Sequence, residues 1–144
     1  MYKSILVPVD LSHDAVAPRI LAVARLLAGG HGRITLLTVV EPAPAYVMAQ
    51  VSEEVLAANR EHTRTALDAL AAREGFPGQA QIRHGAAAAT EILAEAERIG
   101  AEAIILGSHR PDLSDYLLGS TAARVVRHAR CTVVVERSVT ASAP

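Results

Sequence analysis

The chain is poor in the residues that build several common kinds of scaffold and site. Its single cysteine, Cys131, excludes an internal disulfide and leaves no Cys-x-x-Cys pair for a metal or a redox couple. Tryptophan is absent, and one phenylalanine and three tyrosines are its only aromatic rings. Single-stranded nucleic acid, which stacks its bases on such rings, is a poor match. Neither sign of charge dominates: 14 Lys and Arg stand against 15 Asp and Glu in 144 residues. The basic excess that neutralises a phosphate backbone is therefore missing, and no nucleic-acid partner is expected. No apolar run approaches the length of a membrane span, so no membrane partner is expected either. The segment Met1-Tyr-Lys-Ser4 lacks the apolar stretch of a secretory signal. With a lone cysteine, the expected location is the reducing cytoplasm. The six histidines show no His-x-x-x-His spacing and no His/Cys cluster, so no metal set is expected.

What the chain does have is apolar content arranged in a repeating order. With 51% hydrophobic residues in 144, it is long enough for one domain with a sizeable core and too short for two. Residues 1–137 are expected to form that domain, and the small-residue tail Ser138 to Pro144 is expected to be unstructured. Ser4 to Val9 reads as a buried strand closed by Asp10. Val16, Ile20, Val23 and Leu27 recur at helical spacing up to Gly29-Gly30. Pro18 requires either a bend in that helix or a start later than Ser12. Ile34 to Val40 is a second strand, followed by a proline-containing loop from Glu41 to about Gln50. Ser52, with Glu53 and Glu54 behind it, marks a capped helix start, and Val55, Leu56, Leu67 and Leu70 supply its apolar side. Phe76-Pro-Gly78 makes a turn before a weak third strand, Ala80 to Arg83. Thr90 to Ile99 is helical with Gly100 as its stop. The fourth strand is Ala103 to Leu106, a helix covers Gly119 to Ala129, and Cys131 to Glu136 is the fifth strand. Strand and helix alternating in this way imply an α/β fold, a doubly wound parallel sheet of five strands with helices on both faces. Ligands of such sheets bind beyond the carboxyl ends of the strands, where the strand order reverses. Those ends carry Asp10, Val39, His84 and Gly107.

The most informative stretch runs from Gly107 through Ser108, His109 and Arg110 to Gly119, Ser120 and Thr121. Gly107 ends a strand where a side chain would obstruct a ligand approaching the backbone. Gly119, Ser120 and Thr121 put free N–H groups and two hydroxyls at a helix N-terminus, whose partial positive charge favours an anion. Together these residues read as a nucleotide-phosphate site. Taken alone, Ser120 and Thr121 are equally explained as ordinary helix caps, and Asp10 as a cap for the turn that follows it.

The order PVD after the first strand, GSH after the fourth, LLGSTAARVVRHA and then CTVVV resembles the universal stress protein family over nearly the whole chain. The resemblance implies a Rossmann-like sheet of the adenine-nucleotide alpha-hydrolase type, strand order 3-2-1-4-5, with ATP as the cofactor, with or without magnesium. Carried over by position, it puts Pro8, Val9, Asp10 and Val39 beside adenine and ribose. Leu106, Gly107, Ser108 and His109 then line the turn, with Gly119, Ser120 and Thr121 around the phosphates. The family pattern Gly-x-x-Gly, nine residues, Gly-Ser/Thr is altered here: Arg110 replaces the second glycine, and eight residues separate it from Gly119. Arg110 would supply a guanidinium in place of a backbone nest, or else pair with Asp112 or Asp115. The SHRPD…YLLGS form resembles a short, ATP-binding bacterial subgroup.

The implied protein is a regulatory or stress-response ATP-binding homodimer, joined through the edge strand Cys131 to Glu136, with a tetramer as the other assembly. Nucleotide would order the Gly107–Gly119 and Glu41–Gln50 loops over the site. The alternative is a slow ATPase or nucleotidyl transferase, for which Arg110, Asp10 and His109 are the available groups. A receiver domain is excluded because His84-Gly85 and Glu136-Arg137 stand where it needs a phosphorylatable Asp and a lysine. A flavin lacks aromatic rings to hold it.

Overall fold

The structure, a computed structural model, describes residues 1–76, 79–108 and 118–137. His109, Arg110, the turn residues Pro77 and Gly78, and the tail from Ser138 lie outside the described residues. Five strands form one parallel sheet in the order β3-β2-β1-β4-β5: β1 Ser4–Pro8, β2 Arg33–Val40, β3 Ala80–His84, β4 Ala103–Gly107 and β5 Thr132–Glu136. The helices between them are α1 Ala17–Ala28, α2 Ala45–Met48, α3 Glu53–Arg73, α4 Ala88–Ile99 and α5 Ser120–His128. The expected fold class and strand order are both present.

Each central strand is apolar on both faces because each face is covered by helices. Ile5, Val7 and Val9 pack with Leu21 of α1 and Leu67 and Leu70 of α3 in one core layer. Leu6, with Leu37 and Ile104, packs with Ile92 of α4 and Val125 of α5 in the other. The alternation follows from the two-residue side-chain period of a strand. Leu6, Leu21 and Leu36 have no accessible surface, and truncating any one of them to alanine would cost about 2–5 kcal/mol.

Of the alternatives Pro18 allowed, the later helix start is the one present, and two other local expectations are modified by the structure. Pro18 causes no kink, because a 3-10 segment from Leu11 to Val16 precedes α1 and leaves the proline in its first turn, where a missing N–H costs nothing. The loop after β2 contains the single helical turn α2. Val55, expected on the apolar side of α3, is 49% exposed, and the buried residues of that helix are Leu67, Leu70 and Ala71. The start of α3 is as expected, with Ser52 Oγ accepting from Val55 N at 3.2 Å.

The outer strand β3 is fastened to α4 by charge. The Glu95 carboxylate, on a side chain only 2% exposed, accepts from Arg83 Nη1 at 2.9 Å and from Arg98 Nε at 3.0 Å. Arg83 Nε also reaches Glu91 Oε1 at 3.0 Å. Gly85 makes room for this arrangement, since a Cβ there would lie 2.5 Å from the Glu91 carboxylate. The two guanidiniums, Arg98 first, hold the Glu95 carboxyl below its ordinary range against the opposing effect of burial. A carboxyl depressed in the folded state stabilises above its unfolded pKa, and that stabilisation is lost as pH falls through the folded value. Glu95→Gln is therefore expected to be less stable than the parent at pH 7 in urea denaturation, with the difference shrinking once pH falls below the ordinary glutamate value. A difference that stays constant from pH 7 to acid would contradict the assignment.

Candidate functional site

The strand order reverses between β1 and β4. Among the described residues, β1 pairs with β2 at five positions but with β4 only at Ile5↔Ala103 and Leu6↔Ile104. Past those pairs the facing edges of β1 and β4 are no longer laddered to each other, so the sheet opens at its carboxyl end. This is the crevice in which doubly wound sheets hold ligands.

The β1 side of the crevice is held by β2. Val9 N donates to Leu37 O at 2.8 Å, and Thr38 Oγ1 donates to Val9 O at 3.2 Å. Pro8 is half-buried, Val9 is buried and Asp10 is exposed at the rim. Asp10 Oδ1 accepts from Ser12 N at 3.0 Å and from Ser12 Oγ at 2.5 Å, capping the 3-10 segment. The capping role weighed from the sequence is thus present. Asp10 Oδ2 has no hydrogen-bond partner among the described residues. Val39 packs into the α4/α5 layer, away from Val9.

The β4 side is built by Ser108. Its N–H donates to Glu136 O at 3.0 Å, and its carbonyl accepts from Gly119 N at 2.8 Å. Glu136 is fixed in turn by Arg19 Nη2, 2.9 Å from its carboxylate. Ser108 therefore pins the first residue before α5 to the end of β4. Leu106 is buried in the α4/α5 layer. A Cβ at Gly107 would meet Ile20 Cδ1 of α1 at 3.4 Å and Val16 Cγ2 of the 3-10 segment at 3.9 Å.

Gly119 is the N-cap of α5, in extended conformation at φ −60° and ψ 156°. Ser120 and Thr121 are therefore the first helical residues and not the caps. Having no side chain, Gly119 cannot satisfy the first-turn amides, and among the described residues no other side chain caps them. α5 also has no acid in its first turn to offset the positive end of its dipole. Free amides, two hydroxyls and an unopposed helix dipole suit an anion. No group of three or more His, Cys, Asp or Glu able to hold a metal occurs among the described residues. The lone Asp10 fits a magnesium carried in by phosphates better than a metal held by the protein. Cys131 is half-buried, and burial pushes its thiol up, as suits a packing residue.

Fold and crevice together define a doubly wound α/β protein whose sheet order reverses at a β1/β4 switch point. The model of the universal stress protein family matches residues 1–137, and the chain belongs to that family. It is 29% identical over 143 residues to universal stress protein G of Shigella flexneri, a match covering 95% of this chain and all of that protein. A solved member of the family from Burkholderia pseudomallei is 30% identical with a TM-score of 0.64, over 94% of this chain and 96% of that one. The fold is shared with the universal stress protein of Archaeoglobus fulgidus in complex with dAMP, with a TM-score of 0.59 at 22% identity over 93% of this chain and 97% of that one. Among the described residues, no helix is long and apolar enough to cross a membrane.

Because Asp10 bonds Ser12 through both N–H and Oγ, Asp10→Ala should lower stability by about 0.5–2 kcal/mol. Asp10→Asn should keep most of it. Thermal unfolding of the two variants beside the parent checks the cap, and equal loss in both would contradict it.

Proposed function

We propose that this protein binds ATP at the β1/β4 switch point and acts as a regulatory, stress-responsive nucleotide-binding homo-oligomer. The observation that carries the reading is the uncapped first turn of α5, held beside the end of β4 by the Gly119–Ser108 bond. In this arrangement the α5 amides and the Ser120 and Thr121 hydroxyls receive the phosphates. Asp10 Oδ2 is available to the ribose or to magnesium arriving with the triphosphate. Pro8 and Val9 on one side and Val39 on the other flank the base. His109 and Arg110 belong to the proposed phosphate loop. The relative solved with dAMP has the same fold and supports a nucleotide as the ligand class. Regulation would follow from unequal affinity of ATP for two arrangements of the domain, since a ligand shifts an equilibrium only by that difference.

Ser120→Asp separates binding from folding. An acid in the first turn complements the helix dipole and leaves α5 intact, yet it repels a phosphate. Calorimetric titration of ATP with magnesium should give saturable binding to the parent and an affinity at least about tenfold weaker, 1.4 kcal/mol, in the variant. No heat with the parent, or equal affinity in both, would overturn the reading.

The homodimer is proposed through β5. The two sheet edges differ in chemistry: β3 presents Gln81, Arg83 and His84, whereas Val133, Val134 and Val135 of β5 are all only half-buried. Charged residues blunt an edge and apolar ones invite pairing. Sedimentation should therefore give a dimer for the parent and a monomer for folded Val134→Lys. A monomeric parent would refute this assembly.

A further inference from the structure

Positive charge is distributed unevenly over this surface. Arg19, Arg60, Arg64, Arg73, Arg83 and Arg98 are each within ion-pair distance of a carboxylate. On and just after α5 the pattern reverses. Arg124, Arg127 and Arg130 are exposed and have no ion pair among the described residues, and from Leu118 to Val135 the chain contains no acidic residue at all. Ala122 and Val125 turn the opposite side of α5 into the core. Arg124 and Arg127 consequently share the outward side with Ser120, as their helical spacing requires.

Helix chemistry explains only part of this. Arg127 and His128 lie in the last turn, where cations complement the negative end of the dipole. Arg124 lies in the middle of the nine-residue helix and gains nothing there, while Arg130 lies beyond its end. Two guanidiniums without an ion pair among the described residues on one helix face, with a third just beyond the helix end, repel one another, and that cost is offset when an anionic partner covers them.

We propose that the outward face of α5, with Arg124, Arg127 and Arg130, is a docking surface for a carboxylate-rich protein segment. Arg124 and Arg127 stand about 4.5 Å apart along the helix axis, a spacing met by Glu or Asp residues three or four apart on a facing helix. Guanidinium forks bind carboxylates in bidentate fashion. Val126, 45% exposed on the flank of α5, adds an apolar contact at the edge of that face which a peptide side chain can use and a phosphate backbone cannot. No aromatic residue lies on α5 to stack a base, and one exposed valine gives too little apolar surface to enter a lipid interface.

The test is fluorescence anisotropy of the full chain with a labelled helical peptide carrying glutamates at three- and four-residue spacing among leucines, at low and at physiological ionic strength. Saturable binding is expected, weakening as salt rises. Arg124→Glu/Arg127→Glu should reduce affinity at least about tenfold, and Arg124→Gln/Arg127→Gln should reduce it less. Arg33→Glu, which alters an exposed arginine at the start of β2, should not change it. Circular dichroism checks that α5 persists, and if the glutamate variant unfolds the glutamine variant decides. Absent peptide binding, equal affinity across the parent and the α5 variants, or tighter binding of single-stranded RNA or anionic vesicles than of peptide would overturn the proposal.

Discussion

One backbone hydrogen bond, Gly119 N to Ser108 O at 2.8 Å, joins the end of β4 to the start of α5. The candidate site depends on that bond. It aims the positive end of a helix dipole at the place where the sheet order reverses. It is itself dependent on β5, because the Ser108 amide is held by Glu136 O and Glu136 is held by Arg19 of α1. A change at Arg19 of α1 is thus connected to the start of α5 through three bonds, one charge-assisted and two of the backbone. Parallel pairing supplies the rest: β4 and β5 remain in register up to Gly107↔Glu136, while β1 and β4 part after Leu6↔Ile104. The sheet is closed on one side of β4 and open on the other.

Charge in this protein is used in two contrasting ways. At the β3 edge it is internal, with a nearly fully buried glutamate satisfied by two arginines and a third ion pair to Glu91. A buried carboxylate on this scale is tolerable only when its oxygens are occupied, and here both are. The network ties a short outer strand to its helix and leaves that edge polar. On α5 the arginines are exposed and without an ion pair among the described residues, and the neighbouring edge strand β5 is apolar.

Much of this was legible in the sequence. Short apolar runs in β1, β2 and β4 against helical spacing in α1 and α4 predict the doubly wound class. Glycines at Gly29 and Gly100, at φ 63° and 64°, end helices where their spacing implies. Less was legible where one residue type serves two purposes. Asp10 reads equally as a cap or a ligand, and the structure shows the cap while leaving one oxygen open. Gly107 reads as clearance for a ligand, and the neighbours a Cβ there would meet, Ile20 and Val16, are contacts no one-dimensional pattern contains. Glu95 was missed because it interrupts the apolar face of α4, and a charge there signals solvent unless its partners, Arg83 and Arg98, are known to reach it. Val55 misled for the opposite reason: it fits the helical period, but the first half of α3 extends past the sheet that would cover it.

The most direct measurement follows the amide resonances of the chain as ATP and magnesium are added. If the first turn of α5 receives the phosphates, the amides of Ser120, Thr121 and Ala122 shift progressively and saturate together with that of Ser108, while those in α3 remain in place. Saturating nucleotide that leaves the α5 amides unmoved, or moves only residues far from the β1/β4 opening, would contradict the account.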